Sequence, residues 1–133
     1  MAQLKRNNIQ VNIPKDFKIL AVDDENDNLL LIKSYLRNTN IILNTSTNAA
    51  DAIRYSKNNY YDVILMDLNL PDRNGIDTTR IIREKTRCAD SYIIAITASD
   101  KNEISFSHLF NDFVGKPLSK NDLYFKLSLS LKP

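Results

Sequence analysis

The chain has 133 residues, 18 of them Lys or Arg and 16 Asp or Glu, for a formal charge of +2; that length makes one domain with its own core. With 43% hydrophobic and 26% charged residues the composition is globular rather than disordered, and so slight a charge gives no argument for nucleic acid. A lone cysteine, Cys88, excludes an internal disulfide and a cysteine-based metal cluster, and no apolar signal region or bilayer-length stretch is present, so the expected location is cytoplasmic.

Residues 1–16 are mostly polar and reach Pro14, which reads as a leader or linker; the domain is expected over 17–133. Short apolar runs then recur: Ile19-Leu20-Ala21-Val22, Ile41-Ile42-Leu43, Val63-Ile64-Leu65-Met66, Ile93-Ile94-Ala95-Ile96 and the weaker Phe113-Val114. They are too short for helices and do not alternate, as expected of strands buried on both faces. Between them lie helical patterns. Residues 25–37 place Leu29, Ile32 and Leu36 on one side, 48–57 contain Ala49, Ala52 and Ile53, and 74–85 contain Ile76, Ile81 and Ile82. Residues 103–110 make a weak fourth helix with Ser105 and Ser107 inside it, and 119–131 space Leu123, Leu127 and Leu131 by four. The alternation predicts an α/β fold, a doubly wound five-stranded parallel sheet with right-handed crossovers and its functional crevice beyond the carboxyl ends of the strands.

Chemistry-bearing residues stand at those ends: Asp23 and Asp24 after the first strand, Asp67 after the third, Thr97 after the fourth and Lys116 after the fifth. Gathered carboxylates repel one another unless a cation joins them, and oxygen ligands without His or Cys favour a hard ion such as Mg²⁺. A carboxylate beside Mg²⁺ and an ammonium group is a competent nucleophile toward phosphorus and needs no general base. Each residue also has a plainer reading: Asp24 or Thr97 as a helix cap, Asp67 as part of the turn shaped by Pro71 and Gly75, Lys116 as a solvated surface group. Four strands delivering suitable groups to one edge favour the joint reading.

With KILAVDDEN, VILMDLNLPDRNGID, IIAITAS and FVGKPL in that order, the chain resembles the receiver domain of bacterial two-component response regulators over about residues 18–131. The resemblance implies a flavodoxin-like (βα)5 fold with strand order 2-1-3-4-5. It makes Asp67 the phosphoacceptor, accepting from a histidine kinase or histidine phosphotransfer protein, and gives Mg²⁺ the ligands Asp23, Asp24, Asp67 and the backbone carbonyl of Asn69. Thr97 would hydrogen-bond the phosphoryl group, Lys116 would pair with it, and Phe113 would be the aromatic switch; its plainer reading is a core residue. Lys116-Pro117 matches a bond that is usually cis in the family. Asn69 and Ser99 match positions that flank the path of the hydrolytic water. Thr97 and Lys116 stand 19 residues apart, about three fewer than in the family, which shortens the fourth helix and puts the usual dimer face in doubt. His108, in that segment, reads as a surface or packing residue.

Other functions fit less well. A phosphohydrolase of the haloacid dehalogenase type carries an acid two residues after its nucleophile, where this chain has Asn69. A flavin protein of similar topology has a Ser-, Thr- or Gly-rich phosphate loop where this chain has Asp23-Asp24-Glu25-Asn26. A receiver-like interaction module that works without phosphorylation remains the alternative. No helix-turn-helix follows, so direct DNA contact is not expected. The phrase Ile81-Ile82-Arg83-Glu84-Lys85 looks more like receivers attached to hybrid histidine kinases than those of transcription factors. Whether the chain acts alone or within such a kinase, which protein lies downstream, and its oligomeric state stay open.

Overall fold

The structure is a computed structural model and describes residues 2–6, 9–98 and 108–132, with side chains from residue 12 onward. The segment read as a leader carries an antiparallel pair, β1 (Ala2–Arg6) and β2 (Ile9–Ile13), in register from Ala2 opposite Ile13 to Arg6 opposite Ile9. The reason is visible in Ile9-Gln10-Val11-Asn12-Ile13, whose period-two alternation is that of a half-buried strand. Ile13 at its end is fully buried in the domain core with Phe17. Between them the chain turns at Asp16, whose φ of 63° lies in the left-handed region that Asp tolerates.

Five parallel strands follow: β3 (Lys18–Val22), β4 (Ile42–Ser46), β5 (Val63–Asp67), β6 (Tyr92–Thr97) and β7 (Asp112–Gly115), ordered β4-β3-β5-β6-β7. This is the expected order 2-1-3-4-5 counted within the sheet. Successive side chains point to opposite faces and so split the core in two. Ile19, Ala21, Val63, Leu65, Ile94 and Ile96 meet α1 (Asn26–Tyr35) and α4 (Lys120–Ser130) through Leu29, Ile32, Leu123 and Leu127. Leu20, Val22, Ile64, Met66, Ile93 and Ala95 belong to the other cluster, with Ala52 of α2 (Ala49–Asn58) and Ile82 of α3 (Gly75–Lys85). β5, at the centre, is buried along its whole length. β4 corrects the sequence reading: it begins one residue later than the apolar run and lies at the sheet edge, with Ile42 40% exposed, so it is not covered on both faces.

Four helices are present among the described residues. Three begin where the helical patterns begin, and the structure shows the first residue of each pattern to be the cap: Asn48, Asn74 and Ser119 accept from the N–H groups of Asp51, Asp77 and Asp122. Most of the weak helix expected at 103–110 lies outside the described residues, and its end, His108–Leu109, is a 3₁₀ turn. His108 is exposed, as a surface residue should be. β1 runs alongside α4.

β7 is tied down at both ends. Before it, Arg83 of α3 donates to the Leu109 carbonyl (3.0 Å) and to Asn111 Oδ1 (2.8 Å), and the same guanidinium takes the carbonyls of Ala89 (2.9 Å) and Ser91 (2.6 Å) ahead of β6. After it, Tyr35 Oη donates to the Leu118 carbonyl at 2.9 Å, and Tyr124 Oη donates to the Tyr35 carbonyl at 2.7 Å. The Lys116-Pro117 bond after β7 is cis, as the family resemblance implies.

Because Ile13 is wholly enclosed, Ile13→Ala is expected to cost about 2–5 kcal/mol in urea unfolding. A loss below about 0.5 kcal/mol, the scale of a surface change, would show that the hairpin segment contributes nothing to the core.

Candidate functional site

Parallel pairing carries the strand ends to one rim: Val22 lies opposite Met66, Asp67 opposite Ile96 and Thr97 opposite Gly115. Asp23 and Asp24 leave β3 there, Asp67 closes β5, Thr97 closes β6, and Lys116 follows β7. All five residues predicted from sequence are therefore neighbours of one crevice. One carboxylate oxygen from each of Asp23, Asp24 and Asp67 falls within 4.8 Å of the others.

Asp67 is fully buried and Asp23 nearly so, at 0% and 2% exposure, while Asp24 is exposed. Asp67 Oδ1 accepts the Asn69 N–H at 3.0 Å, and its Oδ2 accepts Lys116 Nζ at 3.1 Å. The same ammonium stands 3.7 Å from Asp23 Oδ2. Asp23 is fixed by the Glu25 N–H on Oδ1 at 2.9 Å and by Asn28 Nδ2 on Oδ2 at 3.1 Å. The plainer reading of Asp24 as a cap fails: the N-cap of α1 is Glu25, without a side-chain cap bond, and it is Asp23 that reaches the Glu25 N–H. For Asp67 the turn reading holds together with its place in the crevice, since Oδ1 serves the turn through the Asn69 N–H while Oδ2 meets Lys116. Lys116 is no solvated surface group, being 21% exposed and held between two carboxylates.

Burial pushes the Asp67 carboxyl above the usual carboxylate range, and the charge on Asp23 adds to this; the Asn69 N–H and Lys116 pull the other way without prevailing. For Lys116 the largest single influence is burial, which disfavours the ammonium, but Asp67 and then Asp23 together hold its pKa above the ordinary value. Three carboxylates against one ammonium leave a negative, oxygen-lined, partly open crevice. That donor set fits a hard divalent cation with retained water and no other common metal as well.

Thr97 is buried, and its carbonyl accepts the Lys116 N–H at 2.9 Å, so backbone pairing joins these two site residues directly. Phe113 is half-buried, its ring centroid 5.4 Å from that of Phe110 and packed against the second core cluster. Asn69 is exposed on the loop after β5. Ser99 lies outside the described residues. A cavity of about 290 Å³ adjoins the crevice, lined by Asp23, Asn28 and Lys116 and, on its apolar side, by Leu31, Ile32 and Leu118.

Sequence reading missed two supports of this site, Asn28 and Asp72, and the close approach that makes Gly75 necessary. Asn28 steadies Asp23; its place in the first turn of the helix after Asp23-Asp24 is the available signal. Gly75 is required by close approach, because a Cβ there would collide with the Asp67 carbonyl oxygen and stand 2.7 Å from Leu68 Cα. Asp72, in the loop after Asp67, reaches back to α2 and accepts from the N–H groups of Ala49 (2.8 Å) and Ala50 (3.1 Å). No local pattern announces a cap supplied from 23 residues away.

The chain belongs to the response regulator receiver domain family, whose model matches residues 19–128. Among curated relatives, it is 33% identical over 118 residues to the transcriptional regulatory protein ResD of Bacillus subtilis, covering 86% of this chain and 48% of that one. It is 30% identical over 125 residues to hybrid signal transduction histidine kinase B of Dictyostelium discoideum, covering 83% of this chain and 6% of that one. The chain thus spans less than half the length of these two relatives. Among solved structures, the response regulator TrrA of Thermotoga maritima, in complex with Mg²⁺-BeF, superposes with a TM-score of 0.77 at 27% identity, over 86% of this chain and 99% of that one.

The raised Asp67 pKa has a consequence for stability. The unfolded chain releases this proton near pH 4, while the folded chain holds it to higher pH, so stability falls as pH rises through that window. At neutral pH without divalent cations, Asp67→Asn is therefore expected to raise Tm, by about 4 °C for each kcal/mol recovered, and to flatten that decline. A lower Tm for the variant in calorimetry would contradict this.

Proposed function

We propose that this receiver is a phosphorylation-controlled switch, in which Asp67 accepts a phosphoryl group from a phosphohistidine of a histidine kinase or phosphotransfer protein. The carrying observation is a buried carboxylate sharing one ammonium with a second buried carboxylate at the carboxyl edge of a parallel sheet. Asp23, Asp24 and Asp67, with the carbonyl of Asn69, would hold Mg²⁺. When bound there, Mg²⁺ offsets the carboxylate charge and draws electron density from phosphoryl oxygens.

The chain's own groups do the rest. An Asp67 carboxylate oxygen forms its bond to phosphorus as the phosphorus–nitrogen bond breaks, and the electron pair leaves with the donor imidazole. No general base is needed, because an ionised carboxylate has no proton to give up. Burial keeps water from competing, and the crevice stays open to a donor through the neighbouring cavity. Lys116, already on Asp67, can follow the charge onto the new phosphoryl oxygens. The Thr97 hydroxyl would donate to another of them. Its carbonyl bond to Lys116 supports coupling between β6 and β7, and Phe113, next to that pair, would reorient with it. Asn69 and Ser99 would tune how long the phosphoryl group lasts.

The receiver proper would occupy 17–133, with 1–16 as an added N-terminal piece. No helix among the described residues is long and apolar enough to cross a membrane. We place its work in the cytoplasm and, from the match to a hybrid histidine kinase, within a phosphorelay.

With Mg²⁺ and acetyl phosphate, the protein is expected to gain one phosphoryl mass in intact mass spectrometry, and chelation of the metal should prevent it. Asp67→Asn should take up none, and Lys116→Ala should react about a hundredfold more slowly. Persistent labelling of the Asn variant would overturn the assignment of Asp67.

A further inference from the structure

The loop from Leu68 to Asn74 carries Asn69, directly beside Asp67. Its two ends are firmly held. At the start, the Leu68 N–H donates to the Ile96 carbonyl at 3.3 Å and the Asn69 N–H to Asp67 Oδ1 at 3.0 Å. At the end, the Gly75 N–H donates to the Leu68 carbonyl at 2.9 Å. The middle is exposed from Pro71 to Asn74; the Asp72 carboxylate links it to α2, while Asn74 at its end caps α3. Its two oxygens take the first two N–H groups of α2, Ala49 and Ala50, while Asn48 separately takes that of Asp51. Both contacts use N–H groups that a helix leaves unbonded, at the end where its dipole favours an anion, so they hold the loop with charge-assisted bonds.

We propose that Asp72 is a positioning residue for the phosphoacceptor site: its clamp on α2 fixes the path of the loop and so sets where the Asn69 backbone stands relative to Asp67. This rests on the functional reading above. Asn69 and Asp72 are three residues apart, and Gly75 lies directly under the Asp67 carbonyl. A loop fixed at both ends but free in the middle can rotate its peptide planes. A loop clamped in the middle as well cannot, and a ligand carbonyl needs a fixed direction. Residues that orient metal ligands from outside typically change affinity or activity about 10–100-fold when removed. The arrangement also ties α2, which contributes no residue to the crevice, to the loop that does.

The test compares three variants of the full chain, reading Mg²⁺ affinity by titration calorimetry, phosphorylation rate with acetyl phosphate, and Tm. Asp72→Ala is expected to raise the Mg²⁺ Kd about tenfold and to slow phosphorylation at subsaturating Mg²⁺ by a similar factor. Asp72→Asn keeps one acceptor oxygen without the charge, and is expected to recover part of both losses. Asn48→Ala removes the other cap of α2 without touching the loop; it should lower Tm yet leave Kd and rate unchanged. The proposal is overturned if Asp72→Ala lowers Tm alone, if Asp72→Asn is as defective as Asp72→Ala, which would make the effect one of charge, or if Asn48→Ala weakens Mg²⁺ as much. Should the wild-type protein itself take up no phosphoryl group, the functional reading fails, and this inference with it.

Discussion

One ammonium group serves two buried carboxylates, and much of the structure exists to keep it there. Lys116 Nζ lies 3.1 Å from Asp67 and 3.7 Å from Asp23, both almost without solvent. Placing two like charges in so little water is unfavourable unless each finds partners, and the partners come from separate elements: the Asn69 N–H after β5, the Glu25 N–H and Asn28 amide at the start of α1, and the lysine after β7. The balance is incomplete, as the raised pKa of Asp67 records. The crevice is left wanting positive charge and ready to exchange it.

The sheet makes that arrangement possible at low cost. Parallel strands put every carboxyl end on one rim, so residues far apart in sequence converge without any unusual backbone path. The two core clusters, α1 with α4 on one face and α2 with α3 on the other, hold the rim from both sides. Support for the site is correspondingly divided. Asp23 depends on α1, whereas the loop after Asp67 depends on α2 through Asp72 and on the bare Cα of Gly75.

What the sequence made legible follows the range of the physics involved. Uninterrupted apolar runs identified β3, β5 and β6, because burial on two faces leaves no choice of residue. The starts of α2, α3 and α4 were legible to within a residue from their apolar spacing, and the caps found there, Asn48, Asn74 and Ser119, fit because capping is a three-residue interaction. The five charged and hydroxyl groups were legible because strand ends are where such a fold places them. Three features escaped. β4 was read as doubly buried because Ile41-Ile42-Leu43 is apolar, but edge position is a property of the whole sheet. The N-terminal pair was hidden by polar composition despite the alternation in Ile9-Gln10-Val11-Asn12-Ile13. Asp72 and Asn28 act across space on partners that no spacing rule names.

The anchoring of β7 limits what this strand can do. Arg83 holds the segment before it through two acceptors, the Leu109 carbonyl and Asn111 Oδ1, and the Tyr35 hydroxyl holds the segment after it to α1, which the Tyr124 hydroxyl in turn ties to α4. A strand pinned fore and aft by groups on different faces has no room to slide lengthwise against β6. On the proposed function, a signal arriving at Lys116 would leave sideways, as a swing of side chains such as Phe113 or a roll of the strand about its own axis, and both are motions that reshape a surface without breaking the sheet.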